Sequence, residues 1–192
     1  TITPKSVSVT PNAASKVYGT ADPALTGTLT GFLAGDNVTA TYNRTVGETV
    51  AGGPYTISSV LAPAGVLGNY TITYNTADFN ITPKTASVTP NAASKVYGAV
   101  DPALTGTLTD FLAGDNVTAT YSRAAGETVT GSPYTINAVL APVGVLSNYT
   151  ITYNTAGFII TPKTLTITRG VADNKAYYCT KVATFKFKGA GL

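Results

Sequence analysis

Histidine is missing from all 192 residues, which removes the Ser–His and Cys–His nucleophile systems. Carboxylates are what remains for acid–base chemistry: Asp22, Asp36, Glu48 and Asp78, recurring as Asp101, Asp115 and Glu127 with Gly157 at the fourth place. They fall singly in expected loops and turns, where Asp is common for backbone reasons. No catalytic residue and no cofactor is therefore assigned. A calcium site needs six to eight oxygen ligands. Asp36-Asn37 is a short beginning for one, and no D-x-D-x-D-G loop follows. With one Cys and no His a zinc site is less favoured still, and no metal is assigned.

Two covalent chemistries use the residues present. Lys16 with Asn75 or Asn69, and Glu48 as the neighbouring acid, supplies the types needed for an intramolecular Lys–Asn isopeptide bond; solvated Lys and turn Asn is the preferred reading. Gln is absent, which excludes the thioester and ester cross-links that need it. The single Cys179 rules out an internal disulfide but would serve an intermolecular linkage if exposed outside a cell. N-x-T sequons occur at Asn37, Asn43, Asn69, Asn80, Asn116 and Asn148, many of them expected by chance in a Thr-rich chain.

The scaffold carrying these residues is a repeat. ITPK stands at Ile2–Lys5, Ile81–Lys84 and Ile160–Lys163; KVYG begins at Lys16 and Lys95; NYTITYNTA begins at Asn69 and Asn148. Each offset is 79 residues, and aligning Ile2–Asn80 on Ile81–Ile159 gives 63 identities in 79 positions without a gap. Such likeness implies recent duplication within an array. Charge follows the repeat as well: Thr1–Pro162 sums to −2, whereas Lys163–Leu192 carries +5. A nucleic-acid protein is expected to hold its basic face on the folded body, so no nucleic-acid partner is assigned. No apolar run approaches the roughly 18 residues of a membrane helix, so no span is expected. With no Met in the sequence, Thr1 is read as a boundary inside a longer product.

Period-two alternation runs through each copy, with Thr or Ser on the outer positions. In the first copy it covers Ser6–Thr10, Leu25–Phe32, Val38–Arg44, Tyr55–Leu61, the stretch from Tyr70, and Phe79 with Ile81. Inward positions are Val7, Val9, Leu25, Leu29, Val38, Ala40, Tyr42, Tyr55, Ile57, Tyr70, Ile72 and Tyr74. Ala34–Asn37 and Asp22-Pro23 are turns, and Gly47–Gly53 and Ala62–Gly68 are longer loops. No helical periodicity appears. Six or seven short strands in 79 residues predict an all-β sandwich. Between copies there is no Gly/Ser linker. Pro83 and Pro162 restrict the joint, predicting an extended rod over beads on a string. Tyr70 and Tyr149 each open a strand after a loop, where a buried ring bonded through its hydroxyl to nearby backbone is expected. Gly19 and Gly98 are expected in turns.

The ordered series KVYG, DPALTGTLTGFLAGDNVTATYNR, GETV, GGPYTI and GNYTITYNTADFNITPK resembles the bacterial immunoglobulin-like repeat known as the MBG domain. The likeness spans about Pro4 to Thr161. It implies tandem immunoglobulin-like sandwiches at 4–82 and 83–161. It also implies an extracellular, cell-surface setting in the stalk of a large secreted adhesin. Residues 162–192 begin as a third unit, with a strand pattern over Thr164–Thr168. Ala172–Thr180 then resembles the opening of a YDG repeat, with Tyr178-Cys179 where that family has Asp-Gly. This segment is either an incomplete domain or a strand donor. Three roles follow from the resemblance: stalk, self-assembling filament subunit, or glycan- or protein-binding adhesion module. The corresponding partners are neighbouring repeats, other copies in a filament, and host or cell-surface glycan or protein.

Overall fold

Alternating Val, Thr and Tyr leave little choice but extended backbone, and the strands they form pair into two layers per repeat. A computed structural model of the chain describes residues 2–166, 170–172 and 185–187. The first repeat runs β1 (Lys5–Pro11), β2 (Ala14–Val17), β3 (Gly27–Thr30), β4 (Thr39–Arg44), β5 (Tyr55–Ala62), β6 (Tyr70–Tyr74) and β7 (Ala77–Thr82). One sheet has the order β3-β1-β6 and the other β2-β7-β5-β4. Within them β1 runs parallel to β6 and β2 parallel to β7; the remaining pairs are antiparallel. The short passage from β1 to β2 thus carries the chain from one sheet to the other.

The second repeat reproduces this arrangement with β8 (Lys84–Pro90), β9 (Ala93–Val96), β10 (Gly106–Thr109), β11 (Thr118–Arg123), β12 (Tyr134–Ala141), β13 (Tyr149–Tyr153) and β14 (Ala156–Thr161). Its sheets are β10-β8-β13 and β11-β12-β14-β9. Beyond it, β15 (Gly170–Ala172) and β16 (Phe185–Phe187) pair antiparallel. Thr164–Thr166 carry no strand, so the start of the expected Thr164–Thr168 strand is not formed, and the end of that stretch lies outside the described residues.

The core follows the alternation. Val7, Val9, Tyr55, Ile57, Leu61, Phe79 and Ile81 are buried in the first repeat; in the second, Ala86, Val88, Ile136, Leu140, Phe158 and Ile160 are buried likewise, while Tyr134, the counterpart of Tyr55, is partly exposed. Tyr74 and Tyr153 depart from the inward expectation. They close strands β6 and β13 at sheet edges and stay about half exposed. The Ala62–Gly68 loop holds one helical turn, α1 (Ala64–Leu67), repeated as α2 (Val143–Leu146). A single turn is too short to leave a helical period in the sequence. No helix among the described residues is long and apolar enough to cross a membrane.

Candidate functional site

Among the described residues, chemistry-bearing side chains gather in two kinds of place: a charged cluster inside each repeat, and the joint between repeats. Alternation along β4 places Arg44 on the same inner face as Ala40 and Tyr42, and alternation along β2 turns Lys16 inward. The Arg44 guanidinium lies over Phe79, its Cζ 4.6 Å from the ring centroid, with Tyr55 at 5.4 Å. Its Nε and Nη2 reach the two carboxylate oxygens of Asp22 at 2.5 and 3.0 Å, a two-pronged pairing. Nη1 donates to the Gly47 carbonyl at 2.6 Å, and Nη2 also meets Glu48. Lys16 Nζ closes the quartet on Asp22 at 2.7 Å and on Glu48. Lys95, Asp101, Arg123 and Glu127 repeat the arrangement, with Arg123 4.6 Å above Phe158.

The quartet is built to keep its charges. Asp22 is held at about 2, first by the Arg44 hydrogen bonds and then by Lys16. Glu48 is lowered by Lys16 and then Arg44. Burial alone would lower Lys16, but the two carboxylates outweigh it and raise it. Amide formation at Lys16 requires a neutral amine facing an amide or a protonated acid, and this electrostatic setting opposes both. Asn75 is engaged elsewhere, donating to Thr10 Oγ1 at 2.8 Å. The geometry therefore does not bring Lys16 to Asn75, and it joins Asp22 to Glu48 where the sequence placed them singly.

The joint is assembled from turns at the facing ends of the two repeats. β7 ends at Thr82 and β8 begins at Lys84, so exposed Pro83 is the whole linker. From the first repeat come Tyr18, Gly19 and Val50. Tyr18 continues the β2–β7 ladder, its N–H donating to the Thr82 carbonyl at 2.9 Å. From the second come Leu112 and Asp115, at the 3-10 turn Ala113–Asp115, and Asn148 and Tyr149 at the start of β13.

The Tyr18 hydroxyl donates to the Asp115 carboxylate, 3.1 and 3.2 Å from its two oxygens. The Val50 N–H donates to Asn148 Oδ1 at 2.9 Å. The Tyr18 and Tyr149 rings meet edge to face, with centroids 5.5 Å apart at 77°. Gly19 has φ +82, and Leu112 lies so close that a Cβ there would come within 2.5 Å of Leu112 Cδ1. Asn148 is 3% exposed. Burial first, and then the Asp115 hydrogen bond, raise the Tyr149 hydroxyl to about 12. Tyr18 moves upward for the same two causes, against the Asn148 amide.

Tyr70 and Tyr149 are buried, but their hydroxyls reach backbone distant in sequence. Tyr149 accepts from the Leu112 N–H at 3.0 Å and donates to Asp115; Tyr70 accepts from Leu33 at 3.1 Å and donates to Asp36. A hydroxyl bonded to backbone close upstream is found instead at Tyr55, on the Thr49 carbonyl at 2.8 Å, and at Tyr134, on the Thr128 carbonyl at 3.0 Å. Pro162 is exposed directly after β14. Cys179 lies outside the described residues. No group of three or more acidic or thiol side chains among the described residues is disposed to hold a metal.

The family model of the MBG domain (YGX type) matches residues 7–80 and 86–159. The chain belongs to the MBG domain family. Both copies carry a Tyr-Gly-X triplet, Tyr18-Gly19-Thr20 and Tyr97-Gly98-Ala99, and in the first copy this triplet is the turn that enters the joint. The family matches end before the tail. No curated protein matches the chain. Among solved structures it is similar to Sidekick-1 immunoglobulin domains 1-4, at 10% identity and a TM-score of 0.25. That alignment covers 91% of this chain and 52% of that one, so the chain spans about half its length; at this TM-score the likeness carries no argument. The MBG chain is thus an all-β tandem of repeat modules.

Proposed function

We propose that this chain is a stretch of stalk in a secreted bacterial surface protein, with a mechanical and not a catalytic role. Its folding units are taken as 4–82 and 83–161, followed by an incomplete third repeat or donor segment at 162–192. The observation that carries this reading is the joint. A one-residue Pro linker and a buried, hydrogen-bonded contact restrict how two neighbours turn against each other. Membership of the MBG family supports the surface placement, since its repeats resemble stalk segments of large secreted adhesins. Stability in such a stack is roughly a sum of unit and interface terms. Small-angle scattering tests the reading. The wild-type chain should fit one rigid two-sandwich particle, and Asn148→Ala should broaden the distribution of inter-repeat distances. A wild-type curve reproduced only by freely jointed sandwiches would overturn it.

A further inference from the structure

Tension along a stalk of such repeats enters each one at the start of its first strand and leaves at the end of its last. β1 opens at Lys5, β7 ends at Thr82, and Pro83 alone separates β7 from β8 of the next repeat. The load must therefore cross from the first two strands to the last two. Those four strands meet in two parallel ladders, one in each sheet. β1 lies along β6 from Lys5↔Tyr70 to Val9↔Tyr74, and β2 lies along β7 from Ala14↔Phe79 to Val17↔Thr82. The second repeat has the same two ladders, β8 with β13 and β9 with β14.

Parallel pairing decides how these ladders are loaded. Pulling draws β1 and β2 toward their N-terminal ends, and β6 and β7 toward their C-terminal ends. Along parallel strands those directions are opposite, so the two strands of each ladder are drawn past one another lengthwise. Bonds evenly spaced along the pair then share the load, and none yields until several stretch together. An antiparallel pair loaded at one end opens bond by bond instead. Two routes run side by side. On one, the load crosses from β1 to β6 and passes through Asn75-Thr76 to β7; on the other, it passes through Asn12-Ala13 to β2 and crosses to β7. Both ladders must give way before the repeat opens. Each is also extended past its strands. The Lys5 N–H donates to the Asn69 carbonyl and the Asn75 N–H to the Val9 carbonyl, each at 3.0 Å. Asn75 Nδ2 adds a strap to Thr10 Oγ1 at 2.8 Å, repeated by Asn154 on Thr89 at 2.8 Å. In the other ladder Thr82 Oγ1 donates to the Lys16 carbonyl at 3.1 Å.

We propose that each repeat is built to resist tension, its strength residing in this pair of lengthwise-loaded ladders, with Asn75 and Asn154 as the straps that lock them. The proposal goes beyond a rigid joint and rests on the stalk reading only for the direction of the load. Forced unfolding follows the unfolding rate and not the equilibrium stability, so bonds that cross the load path count for more than equal bonds elsewhere. The repeat supplies its own comparison. Asn12 Nδ2 donates to Thr26 Oγ1 at 3.0 Å, and Asn91 to Thr105 at 3.0 Å. These are Asn–Thr bonds of the same kind at exposed positions, but they lead to β3 and β10, edge strands paired only with β1 and β8. They join no strand at the start of a repeat to one at its end.

Single-molecule pulling of the full chain tests it, with Cys179→Ser so that introduced thiols alone carry the handles. Ile2→Cys with Leu165→Cys, at exposed positions outside the two repeats, loads both along their length. Two unfolding steps of about 25 nm each should appear, one per repeat. Thr39→Cys with Ala62→Cys loads instead the exposed facing ends of the antiparallel β4–β5 pair. At one loading rate the lengthwise force should exceed the force between Thr39 and Ala62 by about twofold or more. Under lengthwise load, Asn75→Ala with Asn154→Ala should speed unfolding about threefold to tenfold, and Asn12→Ala with Asn91→Ala should leave it unchanged. In thermal unfolding the two double variants should lose alike, and circular dichroism confirms the fold of every variant. Lengthwise forces no higher than those between Thr39 and Ala62 overturn the proposal. So does an Asn75, Asn154 variant whose unfolding rate moves no more than that of the Asn12, Asn91 variant. The scattering comparison stands apart: a rigid joint between repeats that yield at low lengthwise force sinks this proposal and leaves the stalk reading intact, and freely jointed repeats that resist tension do the reverse.

Discussion

A guanidinium laid on a phenyl ring and clamped by two carboxylates is a costly thing to dismantle by halves. Removing Arg44 strands Asp22 and Glu48 beside Lys16 alone and uncovers Phe79. Arg44→Ala should therefore destabilise the first repeat by about 2 kcal/mol, the scale of losing charged hydrogen bonds and a ring-stacked cation in a half-buried setting; thermal unfolding of the full chain measures it. The pH dependence follows from the same site. Asp22 and Asp101 titrate at about 2 in the folded chain, below the ordinary 3.8. A depressed carboxylate gives stability that is present above the ordinary value and is lost as pH falls through the folded one. Unfolding temperature should drop between about pH 4 and pH 2, and the double variant Asp22→Asn, Asp101→Asn should flatten that slope while lowering stability at pH 7.

At the scale of elements, Gly19 and Gly98 form a controlled pair. Both sit at φ +82, so Ala at either place carries the left-handed penalty of about 1 kcal/mol. Only at Gly19 does the new methyl also meet Leu112. Gly19→Ala should cost more than Gly98→Ala in thermal unfolding, and the excess should vanish when Leu112→Ala opens the space. Equal losses would show that the turn, not the joint, sets the requirement. The strands themselves were legible from alternation: Val9, Ile57 and Phe79 are fully buried as the period demands. Arg44 and Lys16 obey the same period, yet Arg44 is not among the expected inward positions and Lys16 is expected to be solvated, because alternation is ordinarily read through apolar residues and a cation on the inner face goes uncounted. Tyr18 and Asn148 were hidden for another reason. Their burial comes from the neighbouring repeat, and nothing local in KVYG or GNYT marks a residue that is covered only by the next unit. The one-turn helices α1 and α2 left no period to find.

For the whole molecule, the joint is the part whose strength can be tuned by pH. The Tyr149 hydroxyl titrates at about 12, above its ordinary 10.0. A raised value means stability that is complete below about pH 10 and is lost as pH rises toward 12. Tyr70 is raised chiefly by its Asp36 hydrogen bond, without the neighbour's burial. Between these pH values the two repeats should lose their fixed relative orientation, read by scattering as a broader distance distribution at unchanged strand content. Asn148→Ala should bring the same loosening at neutral pH.

Because every copy carries the residues of both sides of the joint, the gene can change the length of the protein without inventing a new contact. A duplication or deletion of one 79-residue period, of the sort that misaligned exchange between near-identical tracts produces, adds or removes both sides together. Every junction in the longer or shorter product is then the same junction, and reach is adjusted in whole steps of one repeat.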